Sequence, residues 1–148
     1  MNKKIICFKT KYGWINAKEE NRYITSISFG REKNLGKSRN LNKFKKQIKD
    51  YLLGKKIVWQ ISVKFIGTTL QKRIWKELQR IPHGETRSYG EIAKKIKTSP
   101  RYVGAVCGQN KHLLFIPCHR VIKSNGHLGG FSGFGGIKLK QNLINLEK

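Results

Sequence analysis

Acid is what this chain has least of. Eight Asp and Glu stand against 32 Lys and Arg, a formal net charge of +24 over 148 residues. Asp50 is the single aspartate, and from Ile92 to Leu146 there is no acid at all. Two-metal nuclease chemistry needs clustered carboxylates, and a Ser-His-Asp triad needs an aspartate beside its histidine, so both are poorly supported. Cysteine is sparse too. Cys7, Cys107 and Cys118 are odd in number, far apart and without a C-x-x-C pair. Neither a disulfide framework nor a four-ligand zinc site follows from that. No apolar run reaches the length of a signal peptide core or a membrane span, so the expected location is cytoplasmic, where thiols stay reduced.

What is present bounds the answer from the other side. Hydrophobic residues make up 38% and aromatics 10%, enough for a buried core and too many for a disordered chain. The basic excess raises self-repulsion and serves no fold. A polyanionic partner explains it, nucleic acid ahead of a membrane surface; a general lysine bias of the source is the other explanation. If the acid-free half does chemistry, cysteine and histidine must carry most of it.

The first 63 residues read as a small α/β layer. Short β-type runs at Lys4–Lys9, Gly13–Ala17 and Tyr23–Phe29 are split by polar turns. Leu41, Phe44, Ile48, Tyr51 and Leu52 recur at helical spacing up to Gly54, and Ile57–Val63 predicts a further strand. Residues 64–148 are of another character. Leu70, Ile74, Trp75 and Leu78 mark a helix that Ile81-Pro82 stops. Ser88-Tyr89-Gly90-Glu91 is a capping box opening a short helix over Ile92, Ala93 and Ile96. Ser99-Pro100 starts a second, from Arg101 to about Gln109, slim at Gly104 and Ala105. Two short helices joined by about three residues, the second basic at its start, form a helix-turn-helix pattern, although capped helix pairs also occur in proteins that never meet DNA. The glycine-rich stretch Ser124–Gly136 is either a surface loop or a mobile wall over a planar ligand. A last amphipathic helix turns Ile137, Leu139, Leu143, Ile144 and Leu146 inward.

Residues 116–122 read I-P-C-H-R-V-I. This arrangement can expose one thiol at a turn beside a histidine and an arginine able to lower its pKa, and the thiolate is the reactive species. A small apolar cysteine in a buried strand is the other reading, and P-C-H-R alone leaves both standing.

The ordered set Trp75, P-H-G-E-T-x-S-Y-G-E-I-A, R-Y-V-G-A-V, Asn110 and P-C-H-R-V-I resembles the O6-alkylguanine-DNA alkyltransferases over about residues 67–147. The resemblance implies an α+β fold: a small N-terminal α/β (ribonuclease-H-like) domain, 1–63, then a mainly helical domain, 64–148, carrying the helix-turn-helix and the active-site cysteine. It implies one irreversible alkyl transfer from guanine O6 to Cys118, with no metal and no cofactor, by a monomer acting on double-stranded DNA. His119 would take the thiol proton, Glu147 would hold the imidazole and Asn110 would brace the turn. Neighbouring strand residues face opposite ways, so a water relay between Cys118 and His119 is expected. Tyr89 would press on a phosphate and donate to the departing guanine. Val121, Ser132, Cys107 and Phe131 would line the substrate pocket. Arg101 would fill the vacated stack, with Ser88, Tyr89, Gly104, Arg120 and Ser124 also at the DNA. Four features depart from the family: Phe131 stands where tyrosine is usual, the glycine loop is two residues longer, Cys107 stands where a larger apolar residue is common, and the link between the two motif helices is shorter than in some relatives. A non-catalytic lesion-binding relative would lack the cysteine. A helix-turn-helix regulator would not need P-C-H-R.

Overall fold

A computed structural model describes residues 3–129 and 136–148. The chain divides into two compact units, Met1–Phe65 and Ile66–Lys148. In the first, β1 (Lys3–Thr10), β2 (Gly13–Glu20) and β3 (Tyr23–Phe29) form an antiparallel sheet in sequential order. Asn21 and Arg22 both take positive φ at the β2–β3 turn, the conformation whose twist matches that of paired strands. The helix α1 (Arg39–Leu52) begins where the Ser38 hydroxyl accepts from the Leu41 amide. It buries Leu41, Phe44, Ile48, Tyr51 and Leu52; Ile15, Ala17, Ile24 and Ile27 are the sheet's most buried side chains. The Phe8 and Phe44 rings lie 6.1 Å apart.

The strand expected at Ile57–Val63 is absent apart from a single parallel bridge between Ile24 and Val63. Side-chain amides of α1 satisfy much of this backbone. Asn40 donates to the Ser62 carbonyl at 3.0 Å and accepts from the Ser62 amide at 2.9 Å; Gln47 does the same for Val58 and Gln60 at 2.8 and 3.0 Å. Two backbone bonds to Ile24, whose amide donates to the Ser62 carbonyl at 2.8 Å and whose carbonyl accepts from the Lys64 amide at 3.0 Å, add a short contact with the edge of β3, so helix side chains and a sheet edge share this backbone.

The second unit contains α2 (Thr69–Gln79), the two-residue strand β4 (Arg87–Ser88), α3 (Tyr89–Ile96), α4 (Pro100–Gly108), a 3-10 turn at Cys118–Arg120, β5 (Val121–Ile122) and α5 (Gly136–Leu146). Thr68 and Gln71 cap α2 reciprocally, as Ser88 and Glu91 cap α3. Lys97 ends α3 in the left-handed conformation, and Ser99 caps α4 two residues later. Ile74, Leu78, Val103, Val106, Ile116 and Leu143 are fully buried at its centre. Among the described residues, no helix is long and apolar enough to cross a membrane.

Two details position the site. The parallel β4–β5 ladder pairs Arg87 with Val121 and Ser88 with Ile122, tying the start of α3 to the end of the cysteine turn. The apolar face of α5 also differs from expectation: Ile137 is 56% exposed and Leu146 half-buried, while Lys140 is buried beside Leu139, Leu143 and Ile144.

Candidate active site

The P-C-H-R segment is neither a strand nor an exposed turn. It is a 3-10 turn whose cysteine is only 3% exposed. Asn110 shapes it. Its amide nitrogen donates to the Ile116 carbonyl at 2.9 Å and to the Cys118 sulfur at 3.2 Å, while its oxygen accepts from the His112 amide at 2.8 Å. All three positions are buried, so this amide side chain is locked and its donor is aimed at the thiol.

His119 is fully buried. Its Nε2 lies 2.6 Å from a Glu147 carboxylate oxygen. With the Nε2 proton held there, Nδ1 is the basic nitrogen of the neutral ring, a tautomer inferred from this contact. Burial pushes the imidazole pKa below its ordinary range, against the upward pull of Glu147. Glu147 is held in turn by Arg120, which donates from Nε at 2.8 Å and Nη2 at 3.0 Å, a bidentate pair, and by the Gly84 amide at 3.2 Å. The third arm of the guanidinium donates to the Ile81 carbonyl at 2.8 Å. Arg120, expected at the DNA and as an influence on the thiol, is therefore committed inside the site.

Burial raises the Cys118 pKa to about 11, with the Asn110 hydrogen bond and Lys140 pulling it back down. At pH 7 that leaves ~4 units to overcome, about 5 kcal/mol at ~1.4 kcal/mol per unit. A free thiolate is thus rare in this site at neutral pH. His119, the next residue, is held as a neutral imidazole.

Tyr89 heads α3. Its hydroxyl accepts from the Lys140 ammonium at 3.3 Å, and that nitrogen lies 5.5 Å from the ring centroid. Gly129, at φ +71°, passes so close that an added Cβ would stand 3.0 Å from the hydroxyl. Gly104 of α4 lies on the same ring; its Cβ would be 3.9 Å from it. Burial first, then Cys107 and Cys118, raise the phenol to about 12, so at neutral pH it is a donor. Cys107, at the end of α4, is raised to about 12 by burial and by Cys118. Cys107, Cys118, Tyr89 and Lys140 thus form one electrostatic group with a single cation.

Val121 is fully buried on β5. Ser88 is half-buried with its hydroxyl capping α3, and Ser124 lies against Gly90, whose Cβ would meet its hydroxyl at 3.1 Å. Arg101 is exposed in the first turn of α4. Ser132 and Phe131 lie outside the described residues. Among the described residues, no three His, Cys, Asp or Glu side chains are arranged to hold a metal.

Sequence reasoning missed Lys140 and Gly84. A lysine three and four residues before Leu143 and Ile144, on the buried stripe of α5, was the available signal for the first. Gly84 was legible only as a turn, since the carboxylate its amide meets is 63 residues away.

The family model for the 6-O-methylguanine DNA methyltransferase DNA-binding domain matches residues 69–148. A methylated-DNA–protein-cysteine methyltransferase of Mycobacterium bovis is 43% identical over 104 residues, 69% of this chain and 62% of that protein, so the match spans less than two thirds of that relative. One from Sulfolobus acidocaldarius is 35% identical over 142 residues, 95% of this chain and 90% of its own. The crystal structure of Mycobacterium tuberculosis OGT in complex with DNA superposes with a TM-score of 0.85 at 32% identity, covering 97% of this chain and 92% of that one.

Proposed function

This chain belongs to the 6-O-methylguanine DNA methyltransferase family, and on that premise we propose that it repairs O6-alkylguanine in duplex DNA by taking the alkyl group onto Cys118. The observation that carries the reading is the buried Cys118 sulfur, held at 3.2 Å by Asn110 in a turn whose next residue is a carboxylate-bound histidine.

The thiol proton passes through a water to His119, and Glu147 stabilises the resulting imidazolium. Sulfur attacks the alkyl carbon, an S–C bond forms, and the C–O6 bond breaks with its electron pair leaving on guanine. Tyr89 supplies the proton that guanine takes up. The product is a thioether on Cys118, which has no leaving group to release the alkyl, so each molecule reacts once. No metal or cofactor takes part.

The target atom lies inside the duplex, so the nucleotide is flipped out for a few kcal/mol of unstacking. In this reading α3 and α4 act as a helix-turn-helix in the minor groove. Arg101 fills the vacated stack, and Ser88, Tyr89, Gly104 and Ser124 meet the backbone. The Val121 and Cys118 carbonyls accept from the guanine amino group, with Cys107 behind them. Ser132 and Phe131 complete the pocket as hydroxyl donor and stacking wall. The N-terminal domain, 1–63, is a ribonuclease-H-like support for the reacting domain, 64–148. The protein acts as a monomer in the cytoplasm.

Incubation with duplex DNA carrying labelled O6-methylguanine tests this. The expected result is about one equivalent of label on Cys118, none on Cys118→Ala, and nearly unchanged DNA affinity in that variant. Absence of label on the wild-type cysteine, or repeated turnover, would falsify the reading.

A further inference from the structure

Repair as read above gives the N-terminal unit no part in binding, yet that unit carries 17 basic and 4 acidic residues. The charge is concentrated on α1. Arg39, Lys43, Lys46 and Lys49 are exposed and follow one another at spacings of four, three and three, forming one solvent-facing stripe. Like charges at these spacings each destabilise a helix by ~0.2–0.5 kcal/mol, and a glutamate at any of them would reverse the sign.

The nearby acids do not neutralise the stripe. Asp50, the one acid on α1, pairs with Lys55 at 3.7 Å. Glu19 is buried and accepts from the Ser38 hydroxyl at 2.8 Å. Among the described residues, Arg39, Lys43 and Lys46 have no ion-pair partner. They line, with Lys37, Ser38 and Asn42, an open depression of about 560 Å³ at the start of the helix. The concavity therefore has four cations on its walls and no carboxylate, and the positive end of the helix dipole adds a favourable field for anions. From Arg39 to Lys46 the helix rises ~10 Å, about the axial length of three nucleotides of one DNA strand.

We propose that this face of α1 is a second binding surface for the phosphate backbone of duplex DNA, in addition to the α3–α4 helices. It reads no sequence. It raises the local concentration of DNA at the protein and lets the chain stay bound while lesions are sought. The proposal rests on the repair reading for its choice of polyanion, but its test is separate.

The full chain with Arg39, Lys43 and Lys46 all changed to Gln is compared with a control in which Lys9, Lys56 and Lys64, exposed and outside the depression, are changed to Gln. Affinity for undamaged duplex is measured across roughly 50 to 200 mM salt. Each lost phosphate contact lowers the slope of log affinity against log salt by ~0.9, so the α1 variant should lose about 2 to 3 and the control under about 1. Thermal stability should hold or rise in the α1 variant, since repulsion is relieved, which separates lost contacts from lost fold. The swap R39K/K43R/K46R should keep the wild-type slope. Equal slopes in the two glutamine variants, or a loss seen with duplex RNA and not with DNA, would overturn the proposal. Failure of wild-type Cys118 to take up methyl overturns the repair reading alone.

Discussion

The two units carry nearly equal charge, net +13 for residues 1–65 and net +11 for 66–148, and dispose of their polar groups in different ways. Among the described residues the first unit buries only Asn16 and Glu19 of its polar side chains. The second buries Glu77, Asn110, His112, His119, Lys140 and Glu147. Surface charge is cheap and tells only of a polyanionic partner. Buried charge has a desolvation cost that must be met by partners. It is the second kind that marks where chemistry is placed. Glu147, with four donors on two oxygens, and Glu19, with one serine hydroxyl, are the two extremes.

The comparison breaks most sharply at these two acids. Glu147→Ala should destabilise the protein by about 3–5 kcal/mol, because Arg120 and His119 are left buried without their anion; Glu19→Gln should cost under ~1 kcal/mol, the order of one neutral hydrogen bond. Urea unfolding of both measures it, and equal losses would erase the distinction.

An effect of comparable size should appear with alkali. The folded pKa values of Cys118, Cys107 and Tyr89 lie above their unfolded values, so the native state holds protons that the unfolded chain releases. Their stabilisation is complete below about pH 9 and is lost as pH rises through 11 to 12. Cys118 alone accounts for about 3 kcal/mol across two units. Unfolding midpoints at pH 8 and 10.5 should differ accordingly, and the gap should narrow in Cys118→Ala.

Smaller is the expected effect of Lys140→Met. Removing the cation raises the thiol pKa further, and each unit gives a tenfold loss of thiolate. Single-turnover transfer at pH 7 should fall, while stability holds or improves because a buried ammonium becomes a thioether of similar length. A variant that reacts at the wild-type rate would show that Lys140 only packs. Toward acid, transfer should persist past the point where an ordinary imidazole protonates, since burial lowers the His119 pKa.

Local signals were legible wherever the governing interaction is short in sequence. Ser88 with Glu91 and Ser99 with Pro100 announce their helix starts, because a cap and its amide are three residues apart. Of the residues that the resemblance singled out, Asn110 lies against Cys118 and Glu147 against His119. Failures came where the partner is remote. Ile57–Val63 has strand composition, but Asn40 and Gln47 share its backbone hydrogen bonds with Ile24 and leave only a single bridge to the sheet. Arg120 follows the histidine of a basic motif, yet a carboxylate 27 residues on turned it inward.

By itself, then, the sequence determined the capped helices, the lack of acid and the single nucleophile candidate with its histidine, since composition and short-range pairing set these. Tertiary structure decided that Cys118 is buried in a 3-10 turn rather than displayed, that Lys140 is the cation sharing its electrostatic group, and that Arg120 serves Glu147. Those outcomes depend on which distant groups share one low-dielectric volume, where an ion must find its partner or titrate.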